Sequence, residues 1–264
     1  IERCLISVSE DSLRPEFNGV TLRIGKGGTV LFSTDNSTLT RAEPKGAKVP
    51  SRKEAALVLP KVAADLILKL FPSDEARKSA TSGAPKIHIG EKLAIVEFGG
   101  NPEVTLITKL LGTPSTKLDD VFKQHAGGEA GALPEGLEAE IAKARVLTSR
   151  DSLKECTLVA EKGTLTVSVD ATLGKMKSVL KIADKKLDGQ VCVNPDFVAR
   201  VLPFVSMMQL NTDRSLVLSA EGLSHIIAAV PRLAPETPRA EAPMQRAVPA
   251  RGKASDVYDE DVPF

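Results

Sequence analysis

The chain has 264 residues, 42% hydrophobic and 26% charged, which is ordinary for a globular protein and enough for two domains with their own cores. Lys and Arg number 35 against 34 Asp and Glu, so the net charge of +1 identifies no partner, and any nucleic-acid surface must come from segregated charge. Aromatics are only 3%, with no Trp and one Tyr, which argues against a protein that grips single strands on an aromatic platform.

Residues 1–13 read as the end of a helix followed by a polar turn. Asn18-Gly19 leads into Val20–Ile24, whose alternating apolar residues predict a strand. Gly25-Lys26-Gly27-Gly28 is a hairpin turn and 29–34 the return strand. A phosphate loop is set aside here, because the Gly-Lys-Ser/Thr ending is missing and a strand follows instead of a helix. Asn36-Ser37-Thr38 matches a glycosylation sequon, read as chance without a signal peptide. Residues 44–54 form a polar loop and 55–59 a short apolar strand.

Pro60 suits a first helical turn. Val62, Leu66 and Leu70, with Ala63 and Ile67, follow helical spacing, so 60–71 is an amphipathic helix with Lys61, Asp65 and Lys69 off its apolar face. Strands follow at 86–89, 93–98 and 104–111. A weak helical piece and the glycines at 127, 128 and 131 mark 112–135 as a connecting region.

The order then repeats. Residues 135–149 are helical, with Leu137, Ile141, Ala144 and Val146 apolar. Strands follow at 156–160, 164–169, 176–183 and 189–193. Asn194 caps a second helix with Pro195 at its first position and Phe197, Val198, Val201 and Leu202 on its apolar face. Strands at 207–211, 215–219 and 224–230 close the unit. The fold class is α+β: two repeated units, each an antiparallel sheet with two helices on one face. The domains are 1–126 and 135–233, joined by 127–134. Residues 234–264 are rich in Pro, Ala and Arg and read as a disordered tail.

The chain offers little for catalysis. His88, His125 and His225 are scattered, without Asp or Glu at metal-ligand spacing, and no nucleophile elbow or zinc motif occurs. No enzyme activity, cofactor or metal is expected. Cys4, Cys156 and Cys192 are widely spaced in apolar surroundings and read as buried free thiols of a reducing compartment. No apolar run has membrane length and no signal peptide is visible, so the expected location is the cytoplasm.

Several stretches together resemble the bacterial-type replicative sliding clamp, the beta processivity subunit. Leu13-Arg14-Pro15-Glu16-Phe17-Asn18-Gly19-Val20 resembles the opening of its second domain. Phe32-Ser33-Thr34-Asp35 resembles the Ala-Thr-Asp that ends its hairpin, and Val58-Leu59-Pro60-Lys61 its Val-Pro-Arg-Lys helix start. Val193–Val198 resembles the third-domain helix start, Asn-x-x-Tyr-Val. Ile226–Leu233 resembles the closing Val-Val-Met-Pro-Met-Arg-Leu. Each motif is weak alone; their order and spacing carry the resemblance, over residues 1–233. The family's first domain and the opening strand of its second have no counterpart here, so a fragment or a shortened, viral clamp is expected. Asp35-Asn36-Ser37-Thr38 stands where the family has Asp-Gly-His-Arg, and Ser115-Thr116-Lys117-Leu118 replaces its Phe-Pro-Asp-Tyr, so the pocket that these stretches help line is altered.

The resemblance implies a non-enzymatic ring that encloses DNA and tethers a polymerase or other clamp-binding proteins, in a bacterial or phage-infected cell. Homo-oligomerisation follows, because a ring needs a dimer of three-domain chains or a trimer of two-domain chains. It implies DNA-facing cations at Lys61, Lys69, Lys143, Arg145, Arg150 and Arg200, each of which also reads as an ordinary solvated helix residue. Residue by residue it places a partner-peptide pocket at Phe17, Thr34, Leu39, Val121, Asn194, Phe197, Val230, Pro231 and Arg232. Each of these also reads as plain core, Val121 and Leu39 more so than the rest. The end of the chain, Asp259-Glu260-Asp261-Val262-Pro263-Phe264, resembles the acidic Pro-Phe tip of bacterial single-stranded DNA-binding proteins, which recruits replication enzymes. The competing readings are a frayed terminus for the tail and a single-stranded DNA-binding protein on a clamp-like fold for the whole.

Overall fold

Gly19 opens the first strand because nothing larger fits: a Cβ there falls inside contact distance of the Leu59 carbonyl oxygen on the neighbouring strand. The computed structural model describes residues 1–11, 13–25, 28–44, 54–70, 86–98, 104–112, 117–125, 127–183 and 186–231. The chain divides into a body, Ile1–Val230, and a C-terminal unit, Pro231–Phe264. Of that unit only Pro231 is among the described residues, so the fold below is that of the body.

In the first half, α1 (Glu2–Leu5) precedes β1 (Gly19–Gly25), which pairs with β2 (Gly28–Thr34) so that Gly25 faces Gly28 across the turn. Both flanks of the glycine turn are strands, as the hairpin reading requires. The chain reverses at Asn36, whose φ is 71°, into β3 (Thr38–Ala42). Then come β4 (Ala55–Pro60) and α2 (Lys61–Leu70). A separate antiparallel meander holds β5 (Lys86–Ile89), β6 (Leu93–Phe98) and β7 (Val104–Lys109). The weak helical piece is α3 (Leu118–His125).

The second half starts with β8 (Gly131–Ala132) and α4 (Leu137–Leu147), which tightens into a 3-10 turn at Thr148–Arg150. The strands β9 (Cys156–Glu161), β10 (Thr164–Ala171), β11 (Gly174–Lys181) and β12 (Gly189–Val193) form one sheet in the order β11-β10-β9-β12. Next is α5 (Pro195–Val201), where the Asn194 side chain accepts a hydrogen bond from the Asp196 backbone N–H, as the cap motif predicts. The unit ends with β13 (Met207–Asn211), β14 (Ser215–Ala220) and β15 (Leu223–Ala228).

The halves share one antiparallel sheet of order β4-β1-β2-β3-β15-β14-β13-β8. Its crossing point is β3–β15, where Thr40 faces His225 and Leu39 faces Ile226. β3 is the strand that local patterning misses. Its sequence, Thr-Leu-Thr-Arg-Ala, looks like loop, yet the odd and even positions face different layers. Leu39 packs with Phe32, Leu118, Val217 and Ile226 on the side covered by α3, where Phe122 also packs. Thr38 and Thr40 point the other way, to Ser7 beyond α1.

Each half has its own core. The first gathers Val20, Leu22, Leu57, Leu59 and Val96 under Ala63, Ala64 and Ile67 of α2. The second gathers Leu158, Leu165, Val191 and Leu216 under Ile141 and Ala144 of α4 and Val198 and Val201 of α5. Two side-chain expectations fail here. Val62, Leu66 and Leu70 are 70%, 40% and 43% exposed, so the second possible stripe of α2 faces in. The small Ala63 and Ala64 let that face approach the sheet closely. Val146, predicted on the apolar face of α4, is 67% exposed. Cys4, Cys156 and Cys192 are buried thiols, as predicted. No helix among the described residues is long and apolar enough to cross a membrane.

Candidate nucleic-acid interface and peptide pocket

The six candidate cations sit on or beside helices, because each occupies a position left over once the apolar stripe is buried. Lys61 begins α2, half-buried, with its Nζ 2.7 Å from the Glu10 carboxylate. Lys69, in the last turn of α2, is exposed. On α4, Lys143 donates to Glu140 at 2.8 Å, and Arg145 donates through Nε to Asp196 Oδ1 at 2.7 Å. Arg150 ends the 3-10 turn, exposed. Arg200, in the last turn of α5, lies over the Phe197 ring at 5.5 Å and attracts Glu10 electrostatically. Glu10 therefore links a cation of the first half, Lys61, with one of the second, Arg200.

Lys154 joins this group, and its sequence context gave no sign of it. Its Nζ lies 2.6 Å from Asp196 Oδ2, so one carboxylate holds both Lys154 and Arg145. Burial pushes the Asp196 carboxyl up, but the hydrogen bonds from Lys154 and Arg145 outweigh it and hold the group below the usual range.

The nine candidate pocket residues divide into four situations. Phe17 ends a 3-10 turn, Pro15–Phe17, with Arg14 over its ring at 5.8 Å. Arg14 also donates to Asn36 Oδ1 at 3.1 Å, which ties that turn to the 35–38 reversal. Thr34 is buried in the reversal and donates to the Thr38 carbonyl at 2.7 Å. The Ala228 N–H donates to the Ser37 carbonyl and the Val230 N–H to the Cys192 carbonyl, both at 2.8 Å. Phe17 and Thr34 are thus tied to the 35–38 reversal, and Val230 to the end of β12, which Asn194 follows in the chain; Phe197 is half-buried. Leu39 is only 4% exposed, as core. Val121 is 39% exposed on α3 and is not core. Pro231 belongs to the C-terminal unit, and Arg232 lies outside the described residues, as do Asp259, Glu260, Asp261, Val262, Pro263 and Phe264. None of the nine lines the cavity of about 970 Å³ between the β1–β2 turn, the end of β3 and the β14–β15 turn.

The crossing itself holds His225, which the sequence marks only as one of three scattered histidines. His225 is fully buried, its Nδ1 2.7 Å from Thr40 Oγ1 and 3.4 Å from Ser7 Oγ. Its Nε2 is buried without a hydrogen-bond partner. Burial lowers its pKa to about 4, so the ring is neutral at ordinary pH. His125 docks elsewhere: Nδ1 lies 2.8 Å from Ser215 Oγ, and its carbonyl accepts from Gln209 and Asn211, bolting the end of α3 to β13 and β14. No group of three or more His, Cys, Asp or Glu among the described residues is arranged to hold a metal ion.

No protein-family model and no curated protein sequence matches the chain. Solved structures do match. The DNA polymerase III subunit beta from Pseudomonas aeruginosa superposes with a TM-score of 0.75 at 14% identity, covering 88% of this chain and 63% of that one. The Helicobacter pylori beta clamp gives 0.70 at 18% identity, covering 87% and 62%. The DNA polymerase III subunit beta from Borrelia burgdorferi gives 0.70 at 16%, covering 87% and 60%. The chain thus spans about three fifths of the length of these clamps. The repeated units of antiparallel sheet and paired helices are the α+β fold of the bacterial beta clamp.

Proposed function

We propose that the chain is a sliding-clamp-like DNA replication processivity factor, built of clamp-like domains at 1–126 and 135–233 with a connector at 127–134. It surrounds or lies along duplex DNA and tethers a polymerase or another replication protein. The observation that carries this reading is the eight-stranded sheet running through both halves, with each core closed by helices that carry cations on their exposed positions. Phosphate attraction from such scattered cations is diffuse and has no base-reading geometry, which suits a protein that slides. The cations assigned to DNA are Lys61, Lys69, Lys143, Arg145, Arg150 and Arg200. The pocket around Phe17, Thr34, Asn194, Phe197 and Val230 receives a short peptide of a partner, apolar with a few polar fixers. The acidic end, Asp259–Phe264, recruits a further protein that holds the Phe ring and the carboxylate. The protein acts as a homo-oligomer in the cytoplasm.

The test is duplex binding by the full chain and by a K69E/R150E/R200E variant across a salt series. Weaker binding and a shallower salt dependence in the variant, with an unchanged unfolding midpoint, support the DNA-facing assignment. Equal binding by both proteins contradicts it. Tighter, salt-sensitive binding to a single strand than to duplex moves the chain to the single-strand-binding class, the reading that the acidic tail also fits.

A further inference from the structure

Four cations on or near the helices are already occupied by carboxylates of the same chain. Glu10 holds Lys61, Glu140 holds Lys143, and Asp196 holds both Arg145 and Lys154. The Asp196 arrangement differs from a chance surface pair. Its two oxygens are split between two cations from two other segments, at 2.7 and 2.6 Å. Its side chain is 21% exposed, against 50% for Arg145 and 32% for Lys154. Its backbone is fixed by the Asn194 cap at the start of α5. A fixed pair of anionic oxygens spanning a guanidinium and an ammonium is what two oxygens of a nucleic-acid phosphate would otherwise provide.

We infer that Asp196 acts as an internal phosphate mimic that occupies Arg145 and Lys154 and thereby holds duplex affinity down. This rests on the DNA-facing reading above. A phosphate approaching α4 must displace Asp196 from these cations or share them with it, so the pair contributes less to binding than two free cations do. The protein keeps long-range attraction but forms no tight, register-fixing phosphate contact. Glu10, which pairs with Lys61 and is also attracted by Arg200, acts in the same sense more weakly, because it is exposed.

The experiment is equilibrium binding of the native 264-residue chain, D196N and E140Q to a long DNA duplex across a salt series. D196N frees two cations, so it binds about tenfold tighter at low salt, with a log–log salt slope steeper by about 1–2. E140Q frees one, with a slope change of about 1 or less. The double variant R145A/D196N loses most of the gain, as coupled groups do. A variant that has merely lost structure does not bind tighter, so the direction of change separates this role from a purely structural one. D196N with native affinity and slope overturns the inference, while a loss of affinity in K69E/R150E/R200E leaves the DNA reading standing. If none of these variants alters binding, both fall.

Discussion

Thr40 Oγ1 and His225 Nδ1 lie 2.7 Å apart across β3 and β15, the strand pair through which one half of the sheet continues into the other. Ser7, from the segment after α1, reaches the same point at 2.8 Å from Thr40, and Thr38 donates to Ser7 at 2.9 Å. A polar knot is thus buried where two domain cores meet. Thr40→Val keeps the shape but leaves the His225 ring short of its nearest partner. The expected loss is about 1–3 kcal/mol of unfolding free energy, read by urea denaturation. A loss within error would mean that water or a shifted Ser7 replaces the hydroxyl.

The same histidine sets an acid limit. Its pKa in the fold is about 4, below the ordinary value of 6.5, so the unfolded chain binds the proton first. Its contribution is complete above pH 6.5 and is lost as pH falls towards 4, on the order of 3 kcal/mol in all. Glu10, Glu140 and Asp196, whose carboxyls are lowered by their cations, lose their contributions further down, in the carboxylate range. His225→Asn should therefore flatten the stability profile in the upper part of that window and leave the lower part sloping. Parallel profiles for the two proteins would show that the ring is not held neutral.

Helix α2 gives a test of packing. Ile67→Ala empties a buried position and should cost about 2–5 kcal/mol, whereas Val62→Ala, on the exposed stripe, should stay within about 0.5. The reverse ranking would restore the orientation that spacing alone suggested.

That case shows what sequence reading can and cannot reach. Val62, Leu66 and Leu70 form a clean i, i+4, i+8 series, and Ala63 and Ile67 a second one beside it. Periodicity identifies a helix either way but does not choose between adjacent stripes. The choice is made by the sheet, which admits two alanines at close range. β3 was missed for a related reason. Thr40 is satisfied by the side chains of Ser7 and His225, 33 and 185 residues away, which no local window contains. The hairpin at Gly25–Gly28, the Asn194 cap and the repeated order of elements were legible because their causes are local. The Asp196 cluster was not, since Arg145, Lys154 and Asp196 meet only after α4 and α5 pack.

The thiols give a simpler check. Burial pushes Cys4 up to about 11 and Cys156 to about 12, and Cys192 is buried as well. The native protein should leave all three unreactive towards a thiol reagent at mildly alkaline pH, and unfolding should release three equivalents. Fast labelling of any of them in the native state would contradict the burial.

The most direct measurement is retention of the 264-residue chain on a nicked circular duplex, incubated with a loader-containing extract and then linearised. A clamp-like protein stays on the closed circle at moderate salt and is lost when a cut gives it an end to slide from. Equal retention on circle and linear DNA would contradict the proposal that the protein surrounds duplex DNA, and a preference for single strands over both would contradict the duplex reading as a whole.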